Sequence, residues 1–293
     1  MNRTFRQAVQ SDAFTISAEL TLNHASRGGD IRRQADVLGP LVDGIQVNDN
    51  PPAWTHMSAI SASSLLLQSG VDPVPILTCR DRNRLALHSD LLGCRALGIT
   101  SLLLTRGRRV IKKHKLHGST VFDIGGRDLI AMANDLNEED GARPGEAFFI
   151  GTGAKVFHPK PEWRAESLSE RARAGARFLQ TQLCFNTNIL KAWMQRLVDL
   201  KKTWDYSVIV SLTPLPSAKT AAWLKEQYSD SKIPKAVIDR LEAARDPRAE
   251  GIAICAELMN AVREIPGISG VHLMTTGEPE LLAAAIRESG LRT

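Results

Sequence analysis

Apolar and β-branched positions recur along this chain in short runs. Each run is followed by a segment whose apolar residues fall at helical spacing. Phe14–Leu20 alternates and carries β-branched residues, which predicts a strand. It ends at Glu19, before a polar, glycine-containing loop over 23–29 and a helix over Asp30–Leu38. Val42–Val47 is a second strand, ending in Asn48-Asp49-Asn50-Pro51-Pro52, and Thr55–Gln68 is helical. Val71–Leu77 is a third strand, weakened by Pro73 and Pro75, which cannot donate to a ladder. Asp81 is placed to cap a helix reaching Leu97, and Ile99–Leu104 is a fourth strand. After an excursion from Arg109 to Ser119, a helix is expected over Asp123–Leu136. A fifth strand follows over Ala147–Gly151, then a helix over Glu162–Ala174. Phe178 opens a sixth strand, whose polar end Gln180-Thr181-Gln182 leads into a helix over Ile189–Lys201. Tyr206–Leu212 is a seventh strand, followed by helices over Ser217–Tyr228, Ile233–Ala243 and Glu250–Ile265. Gly270–Met274 is an eighth strand, and Glu280–Ser289 a closing helix.

Eight strands alternating with helices, with no linker-like break, predict one (β/α)8 TIM barrel over residues 1–293. The short helix over Ile233–Ala243 is then an extra one between strands seven and eight. In such a barrel the ligand site forms at the C-terminal strand ends. That face would collect Glu19, Asn48, Asp49, Thr78, Arg106, Arg108, Gly151, Gln180, Gln182, Thr213, Thr275 and Thr276. Glu19 is the one carboxylate at the end of strand one. An acid on an apolar strand end can have a raised pKa and act as a general acid; a helix cap or a salt bridge to Arg106 is the plainer alternative. Gln180 and Gln182 each offer a donor and an acceptor in one planar amide. That suits a heterocycle with an amide edge, such as a pterin or flavin; capping the next helix is the competing use.

Composition narrows the class. The chain is 43% hydrophobic and 24% charged, as in ordinary soluble proteins. It has no apolar run long enough to span a bilayer, and Met1–Ala13 lacks the apolar core of a secretory signal. Cys79, Cys94, Cys184 and Cys255 are far apart, with no C-x-x-C pair, which reads as reduced thiols in the cytoplasm. A net charge of +5 is too modest and dispersed to argue nucleic-acid binding, but suits an anionic ligand. The basic residues Arg106, Arg108, Arg109, Lys112, Lys113 and Lys115 cluster with His114 and His117, and no acid occurs between Gly107 and Phe122. Such a loop suits phosphate or carboxylate groups, or is simply solvated. Gly151-Thr-Gly-Ala154 could let backbone amides approach a phosphate, although it lacks the spacing of the known phosphate loops. His158 follows it, before Pro159. No metal-site or serine-hydrolase motif occurs, so no bound metal is expected.

These strand ends, in this order, resemble the methylenetetrahydrofolate reductase family along nearly the whole chain. The pieces that carry the resemblance are Ser17-Ala-Glu-Leu20, Leu77-Thr-Cys79 with Arg80-Asp-Arg-Asn-Arg84, and Leu104-Thr-Arg-Gly107. Gln180-Thr-Gln182, Ile233-Pro234 with Glu250-Gly-Ile252, and Val271-His-Leu-Met-Thr275 complete them. The resemblance implies a flavoenzyme in which NAD(P)H reduces FAD, and the flavin reduces 5,10-methylenetetrahydrofolate to 5-methyltetrahydrofolate. It implies that Glu19 protonates the folate and that Gln182 contacts the pterin, with Gln180 and Thr275 beside it. It implies flavin contacts at Asn48, Thr78, Arg106, Gly107, Gly151 and His158. The chain departs from the family pattern at several places, among them the flavin-covering loop, rewritten as the basic run from Arg108 to His117. Arg108 stands where the family usually has an Asp, the Pro-Pro pair after the strand-one acid is missing, and Ala218 stands where some members place a stacking Phe. Two alternatives to the FAD-dependent reductase follow. One is a flavin-free tetrahydrofolate enzyme on the same barrel, by direct hydride transfer or methyl-folate handling; the other is a non-catalytic subunit. The expected partner is a tetrahydrofolate derivative, with no nucleic acid and no membrane, and a homo-oligomer is left open. The residues do not distinguish NADH from NADPH.

Overall fold

A computed structural model of the chain describes residues 3–50, 55–109, 118–138, 145–231 and 233–292. Among these, strands form where the apolar runs predict them: β1 (Thr15–Glu19), β2 (Gly44–Val47), β3 (Pro73–Thr78) and β4 (Ser101–Thr105) in the first half. β5 (Phe149–Ala154), β6 (Phe178–Leu183), β7 (Ser207–Leu212) and β8 (Ile268–Leu273) follow. They pair in parallel in chain order, and β8 closes on β1, with Ser17 opposite His272. The helices that cover them are α2 (Gly28–Leu38), α3 (Ala59–Gln68), α4 (Arg84–Ala96), α5 (Gly126–Glu138) and α6 (Glu166–Arg173). α7 (Thr187–Asp199), α8 (Ala218–Gln227), α10 (Pro247–Arg263) and α11 (Pro279–Glu288) continue the ring, and α9 (Lys235–Ala243) is the extra helix expected before β8. The protein is a (β/α)8 barrel. No helix among the described residues is long and apolar enough to cross a membrane.

The strand period of two divides the core. Ile16, Ala18, Ile45 and Val47 pack outward against the helices in the main core. The alternate positions face into the barrel. Its N-terminal end is filled by Val74, Leu103, Phe149, Phe178 and Ile209. A helix not anticipated from the sequence, α1 (Phe5–Val9), closes that end. Its Phe5 is buried against Phe178, with ring centroids 5.3 Å apart. Five residues are too few to display a helical period, so the element is invisible to pattern reading.

Three sequence expectations change in detail. Pro73 and Pro75 do lie in a strand: they pair with Ile45 and Val47 of β2, and the pairing of β3 with β4 begins only at Ile76, beyond both prolines. The cap of α4 is Asn83, whose side chain accepts from the Ala86 amide at 3.0 Å, whereas Asp81 is bound by Arg80. α10 starts at Pro247, because the Asp246 side chain accepts from the amides of Arg248 and Ala249, and proline suits the first helical position. Of the basic excursion, residues 110–117 lie outside the described residues, as do Pro51 and Pro52 of the strand-two end.

Candidate active site at the barrel mouth

Moving two residues along each strand from the apolar plug reaches a polar layer inside the barrel. Gln180, two residues beyond Phe178, meets Gln46 across the barrel. Each amide nitrogen donates to the other's oxygen, at 2.8 and 3.0 Å. In the same layer His272 contacts the Ser17 hydroxyl through Nδ1 at 3.0 Å, and its Nε2 has no partner among the described residues. Burial pushes the His272 pKa down to about 3, so this imidazole is neutral.

Glu19 lies one step further along β1, only 5% exposed. Its Oε2 accepts a hydrogen bond from the Thr275 amide at 2.7 Å, just past the end of β8. Burial pushes its pKa up to about 7, with the Thr275 amide pulling in the opposite direction. The carboxyl is therefore poised to hold a proton near neutral pH, as a general acid requires. The alternative role for Glu19, a salt bridge to Arg106, does not form: the Arg106 guanidinium lies over the Phe122 ring, 4.4 Å from its centroid. Thr275 is doubly tied to β1, since its hydroxyl lies 2.8 Å from that of Thr21.

The two glutamines expected to meet a pterin are both engaged with protein. Gln180 is held by Gln46 and lies below the mouth. Gln182 accepts from the Val156 amide at 2.9 Å and donates to the Val156 carbonyl at 3.1 Å. A primary amide has a second N–H and a second lone pair, and Gln182 is half-buried. Its remaining edge is available to a ligand, and the clamp on Val156, just beyond β5, fixes its direction.

The ends of β2, β3 and β4 form a second group, built around Asp49. The Thr78 amide and hydroxyl both donate to Asp49, at 3.0 and 2.7 Å. Arg82 grips the same carboxylate with both terminal nitrogens, at 2.7 and 2.9 Å. Arg80 donates to the backbone carbonyls of Asp49 and Asn50. Gly107 turns the β4 end tightly over this group at a φ of +80°, and a Cβ on it would lie 3.0 Å from that of Thr78. Asn48 is half-buried beside it. The other expected contacts are elsewhere. Gly151 is buried within the barrel, where a Cβ would come within 2.1 Å of the Phe178 ring, so packing requires a glycine there. His158 is exposed on the loop after β5.

Pattern reading missed Tyr228, which ends α8. It packs against the apolar cluster that includes Leu183, Phe185, Leu215 and Leu224, and lies beneath the Arg108 guanidinium, 5.6 Å from the ring centroid. Burial raises the Tyr228 pKa, the charge of Glu19 raises it further, and Arg108 opposes both. Glu19 from β1, Arg108 from beyond β4 and Tyr228 from beyond α8 are thus gathered over one mouth. No sequence signal marks Tyr228 apart from its being an aromatic at the end of a helical pattern.

Comparison with known proteins places this mouth in a family. A model of the family described as methylenetetrahydrofolate reductase matches residues 4–290. A Caenorhabditis elegans protein described as a probable methylenetetrahydrofolate reductase (NADPH) is 24% identical over 245 residues, covering 81% of this chain. The chain spans 35% of the length of that relative. Among solved structures, an uncharacterized protein from Clostridium thermocellum that binds two copies of 5-methyl-5,6,7,8-tetrahydrofolic acid is similar over 97% of both chains. Its TM-score is 0.60 at 14% identity. DmoA from Hyphomicrobium sulfonivorans is similar over 94% of this chain and 87% of its own, with a TM-score of 0.54 at 9% identity. At these identities the two structures share the fold. The family model, spanning almost every residue, goes further: the chain belongs to the methylenetetrahydrofolate reductase family.

Proposed function

We propose that the chain is an oxidoreductase of the methylenetetrahydrofolate reductase type, reducing 5,10-methylenetetrahydrofolate to 5-methyltetrahydrofolate with NAD(P)H as hydride donor. The observation that carries this reading is Glu19, a buried carboxyl with its pKa raised to about 7 at the strand-end mouth of a barrel of this family. Protonation of the folate opens its five-membered ring to an iminium, and hydride addition to the methylene carbon then completes the methyl group. Glu19 supplies the proton, and the Thr275 amide holds its carboxylate once the proton has left. Gln182, clamped on Val156, offers its free amide edge to the pterin. The C. thermocellum protein, of the same fold, binds a methylated tetrahydrofolate, which supports a ligand of that class.

FAD, the expected hydride carrier, fits these residues poorly. Thr78 is engaged by Asp49 through both its amide and its hydroxyl, and Gly151 lies beneath the Phe178 ring. Arg108, in place of the family's usual Asp, lies against Tyr228 at the mouth. These observations favour the flavin-free form of the reading, in which the nicotinamide reduces the folate directly. Proton delivery by Glu19, its support by Thr275 and pterin contact by Gln182 require no flavin.

The test is the absorbance spectrum of the purified chain, before and after incubation with FAD and desalting, followed by assay of NADH and NADPH oxidation with methylenetetrahydrofolate. Folate-dependent oxidation by a colourless protein is the expected result. Twin flavin bands would restore the flavin route, and no folate-dependent oxidation with either nucleotide would favour a non-catalytic subunit.

A further inference from the structure

Several arginines on the loops and helices of this chain meet carboxylates. Arg82 pairs with Asp49 and Asp90, Arg240 with Glu250 and Glu257, Arg248 with Glu278, and Arg33 with Glu280. The mouth is different. The guanidinium carbons of Arg106 and Arg108 lie over aromatic rings, 4.4 Å from the Phe122 centroid and 5.6 Å from that of Tyr228, and neither arginine forms an ion pair among the described residues. A guanidinium attracted to a ring face spends no N–H donor on a carboxylate. Its N–H donors remain for a carboxylate or a phosphate, whose geometry the guanidinium fork matches.

Arg108 is the better placed of the two. The Tyr228 ring that carries it is itself anchored in a separate apolar cluster with Leu183, Phe185, Leu215 and Leu224, and its amide donates to the Leu224 carbonyl at 2.8 Å. The adjoining turn is tied to the β5 end by an ion pair between Lys155 and Asp230 at 2.7 Å. The support under Arg108 is therefore fixed from two sides. Glu19, at the end of β1, and Arg108, just beyond β4, lie on the same face of the barrel, and the charge of each reaches the Tyr228 hydroxyl.

We propose that Arg108, held over the Tyr228 ring, is the anchor for an anionic group, a carboxylate or a phosphate, of the ligand that reacts above Glu19. The anchor rests on the proposed reductase function. For such a reductase two ligands carry an anionic group at a distance from their reacting ring. They are a folate, through its glutamyl carboxylates, and a nicotinamide dinucleotide, through its phosphates. Tyr228 is a positioning residue: it acts through Arg108, and its ring rather than its hydroxyl is what the role requires.

The experiment measures dissociation constants by titration calorimetry for the wild-type chain and for Arg108→Gln, Arg108→Lys, Tyr228→Phe and Tyr228→Leu, after thermal melts confirm that each variant folds. The probes are tetrahydrofolate and its tail-less counterpart tetrahydropteroate, and NADH and NADPH with the phosphate-free reduced nicotinamide riboside. Loss of a charge-assisted bidentate contact corresponds to about tenfold or more in affinity. Arg108→Gln is expected to weaken one anion-bearing ligand by that factor and leave its tail-less or phosphate-free counterpart within about twofold. The ligand affected identifies the source of the anion. Arg108→Lys is expected to recover part of the loss, Tyr228→Phe to retain the anchor, and Tyr228→Leu to lose it. Equal weakening of a ligand and its anion-free counterpart, or no change in either, overturns the anchor while leaving the reductase reading intact. A wild-type chain that binds neither folate nor nucleotide overturns the reductase reading, and the anchor with it.

Discussion

The Oε2 of Glu19 accepts the backbone amide of Thr275 at 2.7 Å, across the seam where the first and last strands of the barrel close. The acid at the mouth is thus held by a contact that exists only when the barrel is complete. In the chain the two residues are separated by almost its full length.

The first consequence concerns stability. Burial raises the Glu19 pKa from 4.5 to about 7, so the folded chain holds this proton more tightly than the unfolded one. Below pH 4.5 the group is neutral in both states. As pH rises toward 7 the unfolded chain releases the proton first, and stability falls, by about 3 kcal/mol at most. Glu19→Gln cannot titrate. Urea unfolding of both proteins from about pH 4 to 8 should show the variant gaining on the wild type through this window. Asp72, whose pKa burial pushes up to about 6, and the neutral His272 titrate alike in both proteins and cancel. Parallel curves would mean that the Glu19 carboxyl is not buried as described.

A second prediction follows from the reciprocal amides of Gln46 and Gln180. Gln180→Leu leaves the buried Gln46 amide without a partner and should cost about 1–3 kcal/mol. Replacing both by Leu should cost less than the sum of the single changes, because no orphaned amide remains. The coupling is read from a double-mutant cycle in urea. Strict additivity would show that the two amides do not meet in solution.

Gly107 supplies a third. Its φ of +80° is strained for any side chain, and a Cβ would press on Thr78 and Arg80. Gly107→Ala should lose about 1–3 kcal/mol of stability. A thermal melt indistinguishable from wild type would show that the β4 end does not turn this way.

Much of this barrel is legible in the sequence, because each strand is a compact apolar run and the helices between them keep their own period. Glu19 is legible for the same reason, as an acid interrupting an apolar strand end. What is not legible depends on partners far away in the chain. Gln180 reads as a ligand group, yet its amide is taken by Gln46, which lies 134 residues earlier. Gly151 reads as a phosphate-loop glycine, and only the closed barrel shows the Phe178 ring lying where its side chain would be. Tyr228 is an unremarked helix end until the turn after α8 brings it over the mouth to Arg108. Short elements escape as well: α1 is a single turn and a half of helix, placed by Phe5 against the barrel plug and not by any local period.

The role of Glu19 is decided by the pH dependence of methylenetetrahydrofolate reduction by the wild-type chain and by Glu19→Gln, with folate binding measured alongside. The proton donor must be protonated to act, so wild-type activity should decline as pH rises past about 7, where Glu19 ionises. Glu19→Gln keeps the shape and loses the proton; its turnover should fall by about a hundredfold or more while folate affinity stays within a few-fold. A glutamine variant that turns over at the wild-type rate, with the same pH profile, would contradict the assignment of Glu19 as the acid.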